Sequence, residues 1–116
     1  MSSVPSHLQK QPVTHFVESF DGTKIAYDLH DADSRALVLV VPGFWREKRH
    51  VSMLTLARLL NENGYRAAVV DPRGHGESEG TYGFNLHEHH DIAAVASDVL
   101  AKLPIDSISL AGKLGW

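Results

Sequence analysis

Residues 69–78 read Val69-Val70-Asp71-Pro72-Arg73-Gly74-His75-Gly76-Glu77-Ser78. An apolar run stops at an acidic residue. A proline then removes a backbone donor, and two glycines bracket a histidine. The pattern predicts a buried strand, from Tyr65 to Val70, that ends in a tight polar loop. The sequence on either side decides what kind of sheet holds it. Upstream, Leu54, Leu56, Ala57 and Leu60 form an apolar helical stripe beginning near Ser52, and Asn63-Gly64 closes it with a left-handed cap. Downstream, Ile92, Val95, Ala96, Val99, Leu100 and Leu103 recur at spacings of three and four, and Pro104 stops that helix. Asn85 with Glu88 resembles a capping box at its start.

Further out, Ala36 to Val41 is a continuous apolar run of strand length, which needs cover on both faces. Ser107 to Ala111 is the last predicted strand. At the front, Val13 to Phe20 and Lys24 to His30 flank Asp21-Gly22, a hairpin turn signal, and Ile25, Tyr27 and Leu29 share one face of the second strand. Met1 to Pro12 reads as a flexible polar tail. The order ββ-β-α-β-α-β predicts an α/β chain with a doubly wound, mainly parallel sheet and an amino-terminal β-hairpin. Such sheets bind ligands beyond the carboxyl ends of their strands. Three loops fall at those ends: Pro42-Gly43-Phe44-Trp45, the Asp71–Ser78 loop, and Gly112-Lys113-Leu114-Gly115-Trp116.

Composition narrows the function classes. Lys and Arg number 11 against 14 Asp and Glu, for a net charge of -3, so there is no electrostatic reason to expect a nucleic-acid partner. Hydrophobic residues make up 43% of the 116, enough for a core. With no cysteine, a disulfide framework, a thiolate metal site and a cysteine nucleophile are all excluded. The first dozen residues lack the apolar stretch of a secretory signal, and Ala36–Val41 is far short of the ~20 residues of a membrane span. The expected location is the cytoplasm.

The hairpin, the strand ending in Pro42-Gly43-Phe44-Trp45, the Asp-x-Arg-Gly-His-Gly-x-Ser segment at 71–78 and the strand ending in Gly112 together resemble the amino-terminal portion of the α/β-hydrolase superfamily. Esterases, lipases and serine aminopeptidases are the nearest group. The resemblance runs from about Val13 to the end, and residues 71–78 are its most specific part. It implies a serine hydrolase acting on small carboxylic esters or related acyl substrates, with no cofactor and no metal. It also implies an oxyanion-hole donor at Phe44, beside Trp45, and a structural loop beside the site made by Gly43, Asp71, Arg73, Gly74, His75, Gly76 and Ser78. His75 is not expected to be the base, which in the family lies farther along the chain.

The same resemblance locates the nucleophile in a Gly-x-Ser-x-Gly elbow after the last predicted strand. Aligned from Gly112, Leu114 stands where serine belongs and Trp116 where the closing glycine belongs. Residues 13–116 are therefore expected to be an incomplete hydrolase domain that stops at the elbow and is inactive by itself. A shifted reading frame across Lys113-Leu114 is one origin for that. The last strand, Ser-Ile-Ser-Leu-Ala, is then expected to present an unpaired apolar edge that favours self-association.

Other motifs carry less. Gly76-Glu77-Ser78-Glu79-Gly80 is a literal Gly-x-Ser-x-Gly, but it lies in a loop between two glutamates, so Ser78 as nucleophile is only an alternative to a turn serine. A non-enzymatic interaction module is a further alternative. His87-Glu88-His89-His90-Asp91 nearly spells a zinc motif, yet Asp91 replaces the second histidine. Gly74-x-Gly76 lacks the third glycine of a dinucleotide loop, and Gly112-Lys113 lacks the upstream glycine of a phosphate loop. Arg46-Glu47-Lys48-Arg49-His50 reads as a solvated charged loop that lines the mouth of a site at most.

Overall fold

The computed structural model describes residues 11–42, 47–81 and 88–112. Most of the predicted tail, Gly43, Phe44, Trp45, the Asn85 cap, His87 and Leu114 lie outside them. Among the described residues five strands and two helices follow in the predicted order: β1 (Val13–Glu18), β2 (Lys24–His30), β3 (Ala36–Val41), α1 (Val51–Glu62), β4 (Arg66–Val70), α2 (Glu88–Lys102) and β5 (Ser107–Gly112).

One sheet holds all five strands in the order β1-β2-β4-β3-β5. The hairpin β1-β2 is antiparallel, and β2 joins β4 antiparallel. From there the sheet is parallel: β3 lies between β4 and β5 and runs with both. The period of two sorts the side chains. Ile25, Tyr27, Leu37, Leu39, Ala68 and Val70 face α2 and pack with Val95 and Val99. Val38, Val40, Ala67 and Val69 face α1 and pack with Ala57. A helix thus covers each face, and the inner strands read as unbroken apolar runs because neither of their faces meets water.

The helix stripes differ from expectation at their margins. Met53, Leu56, Ala57 and Leu60 are the residues of α1 that pack on the sheet, while Leu54 is exposed. On α2, Ile92, Val95, Ala96, Val99 and Leu103 pack, and Leu100 is exposed. Each misplaced leucine sits one residue away from a residue that does pack. Hydrophobicity alone does not fix the edge of a stripe that wide. Helix α1 starts with His50, whose Nδ1 accepts the Ser52 N–H at 3.2 Å. It is tied at its far end by Asn61, whose amide donates to the carbonyls of His30 and Tyr65.

Among the described residues, no helix is long and apolar enough to cross a membrane.

Candidate functional site

The parallel strands bring their trailing loops to one edge. In register, Val40 lies beside Val69 and Val41 beside Gly112, so the chain leaves β3, β4 and β5 at nearly the same level. Pro42, Asp71 and Gly112 are therefore neighbours at the sheet's carboxyl end, where a doubly wound fold places its ligand. Gly112 has φ +136°, and a Cβ there would lie 2.2 Å from the Val41 carbonyl oxygen. Only glycine fits so close to β3, and it stands where the first glycine of the expected elbow falls.

The loop after β4 is held from two sides. Asp71 is fully buried. Its Oδ1 accepts the Lys48 backbone N–H at 2.7 Å, and its Oδ2 accepts the Glu77 N–H at 2.9 Å. One carboxylate thus ties the segment that follows the β3 loop to the far end of its own loop. Gly76 fits under it for lack of a side chain: its φ is +52°, and a Cβ would stand 2.3 Å from Asp71 Oδ2. Ser78 completes the turn. Its hydroxyl donates to the Asp71 carbonyl at 2.7 Å and accepts the Ala26 N–H at 2.8 Å. With its proton engaged by a backbone carbonyl, Ser78 is built into the junction with β2 as a turn serine. His75 lies in the same loop and turns its Nδ1 to the Arg73 carbonyl, 3.2 Å away. Gly74 also has positive φ.

Arg73 points the other way, toward α2. It makes a bidentate pair with Asp91, Nε to Oδ2 at 2.8 Å and Nη2 to Oδ1 at 2.7 Å. Its Nη1 and Nη2 also reach Asp21 in the hairpin turn at 2.9 and 3.3 Å. Ser19 donates to Asp91 Oδ1 at 2.6 Å. The hydrogen bonds to Asp91 and Asp21 hold the guanidinium far above its ordinary pKa despite its burial. Those from Arg73 and Thr23 hold Asp21 well below the usual carboxylate range. Asp91, the residue that breaks the zinc motif, is committed to this arginine. Among the described residues no cluster of three or more His, Asp or Glu is placed to hold a metal.

The charged stretch before α1 corrects its expected role. Lys48 is 2% exposed and is not a solvated side chain. Its Nζ bonds Glu77 and lies 3.3 Å from Asp71 Oδ2 and 3.8 Å from Asp28 Oδ1. Asp28, also fully buried, accepts from Thr14 Oγ1 at 2.6 Å and from Arg49 Nε. Burial works to lower the Lys48 pKa, but Glu77, Asp71 and Asp28 outweigh it and keep the ammonium charged. A local reading misses this cluster because its members lie far apart in the chain. Asp28 gave the available signal: an acid in the middle of β2, within the otherwise apolar and aromatic run from Ile25 to Leu29, needs a buried cation.

No family model matches this chain, and no curated protein matches it in sequence. Its coordinates nevertheless superpose on known enzymes. An esterase of Pyrococcus furiosus is similar with a TM-score of 0.82 at 22% identity, over 97% of this chain and 46% of the esterase. Est1E of Butyrivibrio proteoclasticus, solved with ferulic acid bound, is similar with a TM-score of 0.72 at 24% identity, over 84% of this chain and 41% of that one. A lidless α/β serine hydrolase of Xanthomonas campestris gives 0.72 at 21% identity, over 97% and 53%. The chain has an α/β-hydrolase-like fold and matches the amino-terminal part of it. It spans about half the length of the enzymes it resembles.

Proposed function

We propose that this chain forms the framework half of an acyl-ester hydrolase site and is not a competent catalyst by itself. The convergence of the β3, β4 and β5 ends carries this reading, with Gly112 pressed against Val41 where a nucleophile elbow would begin. The β3 loop, with Phe44 and Trp45, supplies the oxyanion-hole N–H. Gly43, Asp71, Arg73, Gly74, His75, Gly76 and Ser78 make the structural loop beside the site. Leu114 occupies the nucleophile's place and offers no attacking atom. The substrates are small carboxylic esters or related acyl compounds, the class processed by an activated serine with an oxyanion hole.

The reading is tested in two ways. The 116-residue chain should not react with a fluorophosphonate probe, and covalent labelling at Ser78 would overturn its assignment as a structural serine. A chimera joins residues 1–112 to the elbow and remaining half of the Pyrococcus furiosus esterase. It should hydrolyse a p-nitrophenyl ester, and a folded chimera that binds the probe nowhere and turns over nothing would sink the framework proposal.

A further inference from the structure

We propose that Asn63-Gly64, in the turn from α1 to β4, is a site of spontaneous deamidation and that the cap of α1 gates it. The reaction joins a backbone nitrogen to the side-chain carbonyl carbon of the asparagine before it. It needs a nitrogen that no Cβ shields, solvent to carry protons, and room for the two groups to meet. Gly64 meets the first need. Both residues are exposed, and even a Cβ added at Gly64 would find nothing within 4 Å, so solvent reaches the pair. Asn61 differs on each count: Glu62 follows it, it lies inside α1, and its amide is bound to the carbonyls of His30 and Tyr65.

The folded cap withholds the room. Asn63 has ψ 13°, which turns the Gly64 nitrogen away from the Asn63 side chain. The Asn63 amide donates to the Leu59 carbonyl at 2.7 Å, and the Gly64 N–H donates to the Asn61 carbonyl at 3.2 Å. Ser34 holds the glycine from beyond, its hydroxyl donating to the Gly64 carbonyl at 2.6 Å. The reacting groups meet only when the bonds to Leu59 and Asn61 break and the chain rotates about the Asn63 Cα–C bond. The rate therefore follows the opening of the last turn of α1. In the opened state the Gly64 N–H gives its proton to solvent and the nitrogen attacks Asn63 Cγ. An N–Cγ bond forms, the Cγ–Nδ2 bond breaks, and ammonia leaves. Water then opens the cyclic imide at either carbonyl. The product is aspartate at position 63, or an isoaspartyl link that runs the main chain through Cγ. Either one replaces the donor to Leu59 with a carboxylate at the negative end of the helix, where the last turn holds no basic residue. A passing opening of the cap is thereby converted into a permanent loosening where α1 meets β4. None of this depends on whether the site is catalytic.

The 116-residue chain is aged in mildly alkaline buffer and mapped by peptide mass spectrometry. The peptide with Asn63 should slowly gain the mass of an amide-to-acid exchange and split into aspartyl and isoaspartyl forms, while Asn61 stays intact. The same chain in denaturing guanidinium chloride should react at least ~10-fold faster, the factor that an opening cost of ~1.4 kcal/mol imposes. Ser34→Ala, which frees the Gly64 carbonyl, should keep the native circular dichroism and react ~5-fold faster in buffer, the factor for one hydrogen bond worth ~1 kcal/mol. If that variant loses its fold, the comparison of the wild type in buffer and in guanidinium decides alone. Asn63→Asp should melt at lower urea than the wild type, as the aged aspartyl chain does. No conversion at Asn63 in the folded chain overturns the site, and so does conversion of Asn61 at the same rate. Equal rates in buffer and guanidinium overturn the gate, as does a folded Ser34→Ala that reacts no faster than the wild type.

Discussion

Two buried cations flank Pro72 on opposite faces of the sheet, and they are held in different ways. Arg73, on the α2 side, meets two carboxylates with a planar fork, and each contact has a defined direction. Lys48, on the α1 side, is a compact charge among three carboxylates, two of which have other donors as well: Asp28 has Arg49 and Thr14, and Asp71 has two backbone N–H groups. The fork fixes orientation, because it joins the hairpin turn, the β4 loop and α2 in one geometry. The ammonium mainly balances charge, and its neighbours are partly satisfied without it. The two networks therefore have unequal claims on stability, although both are buried and both adjoin the same loop.

Removing each cation tests that inequality. Arg73→Ala leaves the Asp91 carboxylate buried with Ser19 as its only side-chain donor among the described residues. It should cost about 3–5 kcal/mol of unfolding free energy, read from urea or thermal melts, because an uncompensated buried charge remains. Arg73→Lys should recover less than half of that loss, since a point charge cannot make the bidentate pair. If the lysine restores full stability, orientation is not what the fork provides. Lys48→Met keeps the apolar stem and deletes the charge. It should cost less, about 1–3 kcal/mol, since Asp28 and Asp71 keep their other donors. A Lys48→Met loss equal to that of Arg73→Ala would erase the distinction between the two faces.

The same contrast explains what could be read in advance. The element order, the hairpin face of Ile25, Tyr27 and Leu29, and the loop at 71–78 were legible because each rests on local pattern: period, turn chemistry, glycine and proline. The family resemblance marked Asp71, Arg73, Gly76 and Ser78 as a structural loop but not their partners. Arg73 joins Asp21 and Asp91, separated by 70 positions in the chain, and nothing local announces the pairing. Lys48 was misread for the same reason: a run of charges resembles a solvated loop until Asp28 and Asp71 are seen behind it. The margins of the two helix stripes failed on a finer point. Leu54 and Leu100 are as apolar as the residues that pack, yet they are exposed, so composition alone does not tell which residues at the stripe's margin are covered.

His30 sharpens the comparison by pH. It belongs to the α1 side, on β2 two residues beyond Asp28, and is 8% exposed. Among the described residues its Nε2 has no hydrogen-bond partner. Burial pushes its pKa below the usual 6.5; Asp28 opposes that shift, and Arg49 adds to it. The unfolded chain, with an ordinary imidazole, therefore takes up this proton first as pH falls. The stability from the neutral ring is fully present above pH 6.5 and is lost progressively below it, levelling off once pH passes the depressed folded value. The Arg73 side should be silent over that interval, because Asp21 is held far below it and the guanidinium far above it. Urea midpoints followed downward from pH 6.5 should fall for the wild type and fall less steeply for His30→Gln. Arg73→Lys, though weaker at every pH, should keep the wild-type slope. Parallel curves for the wild type and His30→Gln would show that the proton is taken up elsewhere and that the two faces do not differ in their response to acid.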